Sequence, residues 1–411
     1  PPPEAPPPGA MSELQGILDN LISMLKPPPP TSNEATKLLD AARRTRERTG
    51  KPFTGSELDF IGHLEKTCYD AGFEFSRELL ETTYLSLKVR PFVVLAGPSG
   101  VGKSALAQLM FGACGGSLDG QDALRLAVEA NWTDSRFLFG RRDAHGFQPT
   151  RFYQMLRDAP SDRLYHVLLD EMNLAHVEYY FAQFLSAMES DGQLWVHEDG
   201  ARTEPIQLPM SDNVSLLRLY GTINVDESTQ VLSDKVVDRV NVIEVEAQAP
   251  KERIPSSRKR MRSAPEFHLS LETLREWQKA EEMLEVPEEV REIWEVMARR
   301  EAAPQDAAAE GPSKETKQVR LSIPIGHRII QDIALFVHYA ERLKGTVGRK
   351  DAIDLQVQQR ILPKIRGDVR LNEMLEELAT VLKKHQLHRS ARRLDRMLKQ
   401  LGFEQFVTFW A

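Results

Sequence analysis

Phe92-Val-Val-Leu-Ala-Gly97-Pro-Ser-Gly-Val-Gly-Lys103-Ser104 decides how the rest of the chain is read. Phe92 to Ala96 is a short, uninterrupted apolar run closed by glycines. That pattern predicts a strand buried on both faces. Gly97 to Ser104 then matches G-x-x-x-x-G-K-[ST], a phosphate-binding loop. Glycines let backbone N–H groups curl around phosphates without Cβ clashes. Gly97, Pro98, Ser99, Gly100, Val101 and Gly102 would form the cradle. Lys103 would reach the β and γ phosphates, and the Ser104 hydroxyl would ligate Mg²⁺. A helix from Ala105 would aim its positive N-terminal end at the same charge.

Outward from this stretch, four further apolar runs read as strands: Ala123 to Ala130, Tyr165 to Leu169, Leu216 to Ile223 and Val240 to Val245. Helical stretches lie between several of them. Strands alternating with helices predict an α/β fold with a parallel sheet covered on both faces. Upstream, Leu58, Ile61 and Leu64, then Leu79, Leu80, Tyr84, Leu85 and Leu87, recur at helical spacing. Thr54-Gly-Ser-Glu57 supplies cap-type residues before the first group. Gln193 to Leu208, with Asp199-Gly200 at its centre, reads as an inserted β-hairpin.

Three more segments carry chemistry. His166-Val-Leu-Leu-Asp170-Glu171 ends an apolar strand in two acids, 66 residues after Ser104. Asp170 would hold Mg²⁺ through water, and Glu171 would polarise an attacking water. An Asp-Glu pair favours hydrolysis. Leu219-Tyr-Gly-Thr-Ile-Asn224 delivers an Asn at a strand's C-terminal end, the edge where open parallel sheets bind ligands. Asn224 would orient the water between Glu171 and the γ-phosphate. Arg239, in Lys235-Val-Val-Asp-Arg239, would stabilise transition-state charge on a neighbouring subunit's nucleotide. Its plain alternative is a surface salt bridge with Asp238. Arg328, in Gly326-His-Arg328, would touch the phosphates from a helical C-terminal part.

The chain has 411 residues and a net charge of −7, from 53 Lys plus Arg against 60 Asp plus Glu. That balance argues against a general polyanion binder. Two cysteines exclude a disulfide-stapled scaffold and a Cys-rich zinc site, and they suit a reducing, cytoplasmic setting. No apolar run is long enough for a transmembrane helix. Ten of the 25 prolines fall within the first 30 residues, so residues 1–32 read as a proline-rich tether, with Met11 an alternative start. Residues 33–249 read as the α/β unit with its leading helices, and 250–411 as a helical lid. Within the lid, 301–317 looks like a disordered insertion. Helices are expected at 271–300, broken near Pro287, then at 329–343, 355–365, 371–385 and 390–401. Residues 251–262 and 383–399 are basic runs, candidates for DNA contact or solvated faces.

In this order, these elements resemble an AAA+ ATPase of the McrB-like branch, among the dynein-related members. Trp132-Thr-Asp, Gly146-Phe-Gln-Pro-Thr, Leu169-Asp-Glu-Met-Asn-Leu-Ala, Gly221-Thr-Ile-Asn-Val-Asp-Glu-Ser-Thr, Ile361-Leu-Pro-Lys-Ile-Arg-Gly and the terminal Phe409-Trp410 carry the likeness. The resemblance implies sheet order 5-1-4-3-2, a hexameric ring with nucleotide between subunits, and a pre-sensor role for the hairpin at 193–208. It carries Lys103 and Ser104 over as phosphate and Mg²⁺ ligands, and Asp170 and Glu171 as metal and catalytic acids. It also carries Asn224 as sensor, Arg239 as trans finger and Arg328 as lid sensor. McrB itself hydrolyses GTP and has Asn-Thr-Ala-Asp-Arg after its sensor strand. Asn224-Val-Asp-Glu-Ser lacks that Arg, which favours ATP. McrB also carries an N-terminal DNA-reading domain; the proline-rich leader and short helices before the expected motor read as too little for one, and no nuclease constellation is visible. The expectation is a restriction or phage-defence motor that works with a separate nuclease or DNA reader. A protein-remodelling chaperone of the MoxR or dynein-like kind, and a nucleotide-gated scaffold that recruits an effector, are the alternatives.

Overall fold

A computed structural model describes residues 51–116, 122–159, 163–189, 192–196, 205–211, 214–225, 230–247, 267–298 and 323–410. The proline-rich start, the basic run at 251–262 and the insertion at 301–317 lie outside the described residues.

The core is a five-stranded parallel sheet. Its strands are β1 (Phe92–Gly97), β2 (Ala123–Ala127), β3 (Tyr165–Asp170), β4 (Leu217–Asn224) and β5 (Asn241–Glu244). They lie side by side in the order β5-β1-β4-β3-β2, the order expected. Every residue of β1, β3 and β4 is buried. This explains why β1, and Val167 to Leu169 in β3, read as continuous apolar runs rather than alternating ones: helices cover both faces. The register sets Asn224 beside Gly97 and Gly221 beside Leu169, so the C-terminal ends of β1, β3 and β4 meet at one edge.

Two helices precede the sheet, α1 (Glu57–Asp70) and α2 (Arg77–Val89). Ser56 starts α1 with a capping box: its hydroxyl accepts from Asp59 N, and Asp59 accepts from Ser56 N at 2.9 Å. Ser76 caps α2 by accepting from Leu79 N. After β1 comes α3 (Lys103–Ala113). Beyond the sheet lie α4 (Leu271–Trp277) and α5 (Glu288–Ala298), separated around Pro287 as the sequence suggests, then α6 (His327–Leu343), α7 (Arg349–Gln356), α8 (Asn372–Lys384) and α9 (His388–Glu404).

The predicted helix at 355–365 is shifted. Gly348 starts α7 earlier, and after Gln356 the chain passes through a π-turn (357–361) and a 3₁₀ turn (362–364) containing Pro363. The apolar spacing was right, but it does not locate a start or a proline-forced stop. The predicted strand at 123–130 ends at Ala127. The inserted hairpin is present in short form, pairing Gln193 with Gln207 and Leu194 with Ile206. A second hairpin, Gly140–Asp143 with Gly146–Pro149, and the pairing of Arg366–Asp368 with Phe406–Thr408 carry no clear strand pattern in the sequence.

Buried polar groups tie the helical part to the sheet. Arg360 is fully buried, pairs with Asp332 at 2.8 Å, and donates to the carbonyls of Val237, Val240 and Asp238. Glu81, on α2, accepts from the backbone N–H groups of Thr346 and Val347 at 2.7 and 3.0 Å. Removing either charge would strand its partners in a dry interior.

Gly97 is fixed by a close approach. A Cβ there would lie 2.3 Å from the Val245 carbonyl oxygen, because the chain leaving β5 crosses directly against it. Gly97→Ala is therefore expected to push two backbones apart and cost about 1–3 kcal/mol. Urea unfolding measures this, and an unchanged midpoint would refute it.

Candidate nucleotide site

The loop between β1 and α3 runs through two left-handed residues, Gly100 (φ 82°) and Gly102 (φ 97°). Gly102 starts α3, and only glycine enters that conformation without strain. Around Gly100 there is open space where a Cβ would stand. The loop is thus a concave run of backbone N–H groups at the start of an eleven-residue helix, the arrangement that receives phosphate. The Lys103 ammonium is buried and donates to the carbonyls of Gly97 and Pro98 at 2.7 and 2.6 Å.

Four predicted residues converge at the sheet edge. Ser104 Oγ donates to Asp170 Oδ1 at 2.6 Å. Asn224 Nδ2 donates to Glu171 Oε1 at 3.4 Å. β3 delivers the two acids and β4 delivers Asn224. Glu171 sits in the left-handed region (φ 53°), as strained residues at functional sites often do. That turn lets Asp170 and Glu171 face different partners. Gly221 admits the turn beneath: a Cβ there would meet Met172 Sδ at 2.0 Å.

Sequence spacing does not single out Thr222 or Arg125. Thr222 Oγ1 donates to Asp170 Oδ1 and accepts from Glu171 N, both at 2.8 Å. It therefore sets the positions of both acids at once. The available signal was period two, since Thr222 and Asn224 point to the same side of β4. Arg125, on the neighbouring strand β2, donates its Nε to Asp170 Oδ2 at 3.0 Å and forms an ion pair there through Nη2. Burial alone would raise the Asp170 carboxyl. The hydrogen bonds from Ser104, Thr222 and Arg125 outweigh it and hold the group below its ordinary value. His166, four residues earlier, is buried and its imidazole is pushed down to about 3, so it serves the interior as a neutral ring.

The donor set fits Mg²⁺ bound with phosphate. Ser104 and Asp170 bring hard oxygens to one point, and Mg²⁺ is held by one or two carboxylates plus substrate phosphates. Among the described residues, no cluster of three or more His, Cys, Asp or Glu could hold a metal by itself.

Two predicted residues lie elsewhere. Arg239 pairs with Glu189 at 2.5 Å and donates Nε to Leu185 O at 3.2 Å. The alternative pairing with Asp238 does not form: Asp238 takes Lys364 instead. Arg239 sits just before β5, whose first residue lies beside Val93, so it occupies the edge opposite the phosphate loop. Arg328, at the start of α6, pairs with the same Glu189 carboxylate. Burial would raise Glu189, yet hydrogen bonds from Arg328 and Arg239 hold it below its ordinary value. Glu189 is a third residue that no motif signals. The structure thus brings Arg239 and Arg328 together, apart from the acids at the phosphate loop.

No helix among the described residues is long and apolar enough to cross a membrane. No curated protein matches the chain. Residues 315–406 match a family model described as a domain of unknown function, DUF8727. That match includes Arg328 and stops short of every residue at the phosphate loop.

Proposed function

We propose that the chain is a Mg²⁺-dependent nucleoside triphosphatase of the AAA+ kind, McrB-like, that works as a homo-oligomeric ring, most simply a hexamer, on ATP rather than GTP. The supporting observation is the convergence, on one edge of a 5-1-4-3-2 parallel sheet, of the phosphate loop, the Ser104–Asp170 contact and the Glu171–Asn224 pair. In this reading Lys103 leaves the loop carbonyls and binds the β and γ phosphates. Ser104 and Asp170 hold the metal, and Arg125 and Thr222 keep Asp170 ionised and aimed. Glu171 takes a proton from the attacking water while Asn224 fixes that water's position. Mg²⁺, when bound, draws negative charge off the phosphates.

The sheet edge that carries Arg239 and Arg328 faces away from this loop. Both arginines therefore serve a neighbouring subunit's triphosphate in the proposed ring, which moves Arg328 from a cis to a trans role. The cellular task we propose is that of a restriction or phage-defence motor, with target reading and cleavage supplied by a separate nuclease or DNA-reading partner.

Steady-state turnover of ATP and GTP, each with and without DNA, tests the reading. ATP turnover stimulated by DNA supports it. Hydrolysis indifferent to DNA but raised by a protein partner would favour a remodelling chaperone. Glu171→Gln is expected to bind ATP normally and lose about 10²- to 10⁴-fold in turnover. Unchanged turnover in that variant would remove Glu171 from the chemistry, and full biological function without turnover would favour a nucleotide-gated scaffold.

A further inference from the structure

At the opposite end of β4 from Asn224, Arg218 is buried, 6% exposed. Asn224 lies six residue steps further along the strand, about 20 Å. Arg218 Nη1 donates to the carbonyls of Ser215 and Leu217. Nε and Nη2 have no acceptor among the described residues, and no carboxylate there pairs with the guanidinium. Beside it is a small cavity of about 30 Å³, lined by Tyr84, Lys88, Cys114, Arg218, Tyr220 and Trp277 among others.

Among the described residues the local charges do not balance. Lys88 and Glu57 neutralise each other at 2.6 Å, and Tyr84 donates its hydroxyl to Glu57 at 2.8 Å. Glu57 is therefore committed. Arg218 remains as one buried positive charge. The other polar groups around it cannot supply a negative one: burial pushes the Cys114 thiol up to about 12 and the Tyr84 and Tyr220 hydroxyls well above their ordinary range. An isolated buried ion costs several kcal/mol unless something pairs with it. The cavity exceeds the roughly 10–15 Å³ that one water requires.

We propose that this cavity binds a small monovalent anion, chloride or a similar halide, held by the Arg218 guanidinium. The occupant would sit where α2, α3 and the start of β4 meet α4. Gln278 and Tyr339 already join this place to the helical part: Tyr339 donates to Gln278 O at 2.7 Å, and the Lys88 ammonium lies 4.0 Å from the Tyr339 ring centre. The anion would therefore fasten α4 to the sheet, at a site separate from the phosphate loop.

Two measurements test it on the full chain. Crystals grown with sodium bromide, diffracted at the bromine edge, should show an anomalous peak within hydrogen-bond reach of the Arg218 guanidinium. Bromide found only on the surface overturns the proposal. Thermal unfolding in sodium chloride should give a Tm about 2 °C above that in sodium gluconate at equal ionic strength. Gluconate is too large for the cavity, and excluded anions of its kind otherwise raise Tm, so this order is diagnostic. Arg218→Met should erase the difference. Equal Tm values in the two salts, or an undiminished difference in the variant, refute the site. Should Arg218→Met fail to fold, the bromide peak decides.

Discussion

Lys103→Ala is expected to fold, to keep its sheet, and to lose nucleotide binding. The side chain donates to two carbonyls of its own loop, Gly97 and Pro98, bonds that are local to that loop. Water can take the ammonium's place at those carbonyls once the side chain is gone. The triphosphate has no such substitute. It would enter a site whose remaining positive character comes from backbone dipoles and from Arg125, which Asp170 already pairs, while the carboxylates of Asp170 and Glu171 stand at the same edge. Truncating one partner of a desolvated charge pair costs about 2–5 kcal/mol, roughly 30-fold to several thousand-fold in affinity. Equilibrium binding of a fluorescent ATP analogue reads this directly, with circular dichroism confirming the fold. Tight binding by the variant would overturn the phosphate-loop reading altogether.

The parts of this architecture legible in the sequence are those with a short-range physical signature. β1 is visible because burial on both faces demands six consecutive apolar or small residues. The loop after it is visible because left-handed backbone at Gly100 and Gly102 demands glycine. Asp170, Glu171 and Asn224 are visible because each ends an apolar run. Thr222 and Arg125 are not, since their importance comes from strand neighbours 52 and 45 residues away from Asp170. Only the register of the sheet makes them partners. Asp238 shows the same limit from the other side. Adjacency in sequence suggested it for Arg239, but the backbone turns there, and the carboxylate finds Lys364 on the helical part. A charge pair costs little to redirect and leaves no periodicity behind, so distant pairings of this kind stay unreadable.

Arg239 supplies the sharpest test of subunit cooperation. Its guanidinium lies at the sheet edge opposite its own phosphate loop, since β5 starts beside Val93 and runs parallel to β1 toward Gly97. A triphosphate in its own loop is about 20 Å away along the strand direction. Arg239→Ala should therefore bind ATP with unchanged affinity. Its hydrolysis should fall on the order of 10³- to 10⁵-fold, the range an arginine finger contributes. Glu189 adds a prior step to the proposed ring: the same carboxylate holds Arg239 and Arg328, so in that proposal both cations would exchange it for phosphate when subunits meet. Mixing separates this from damage to the fold. Lys103→Ala chains cannot bind nucleotide but still offer Arg239 to a neighbour, while Arg239→Ala chains bind nucleotide but offer no finger. Each is expected to be inactive alone, and their equimolar mixture should regain hydrolysis as mixed rings form. A mixture as inactive as its components would place Arg239 outside the active site of any neighbour.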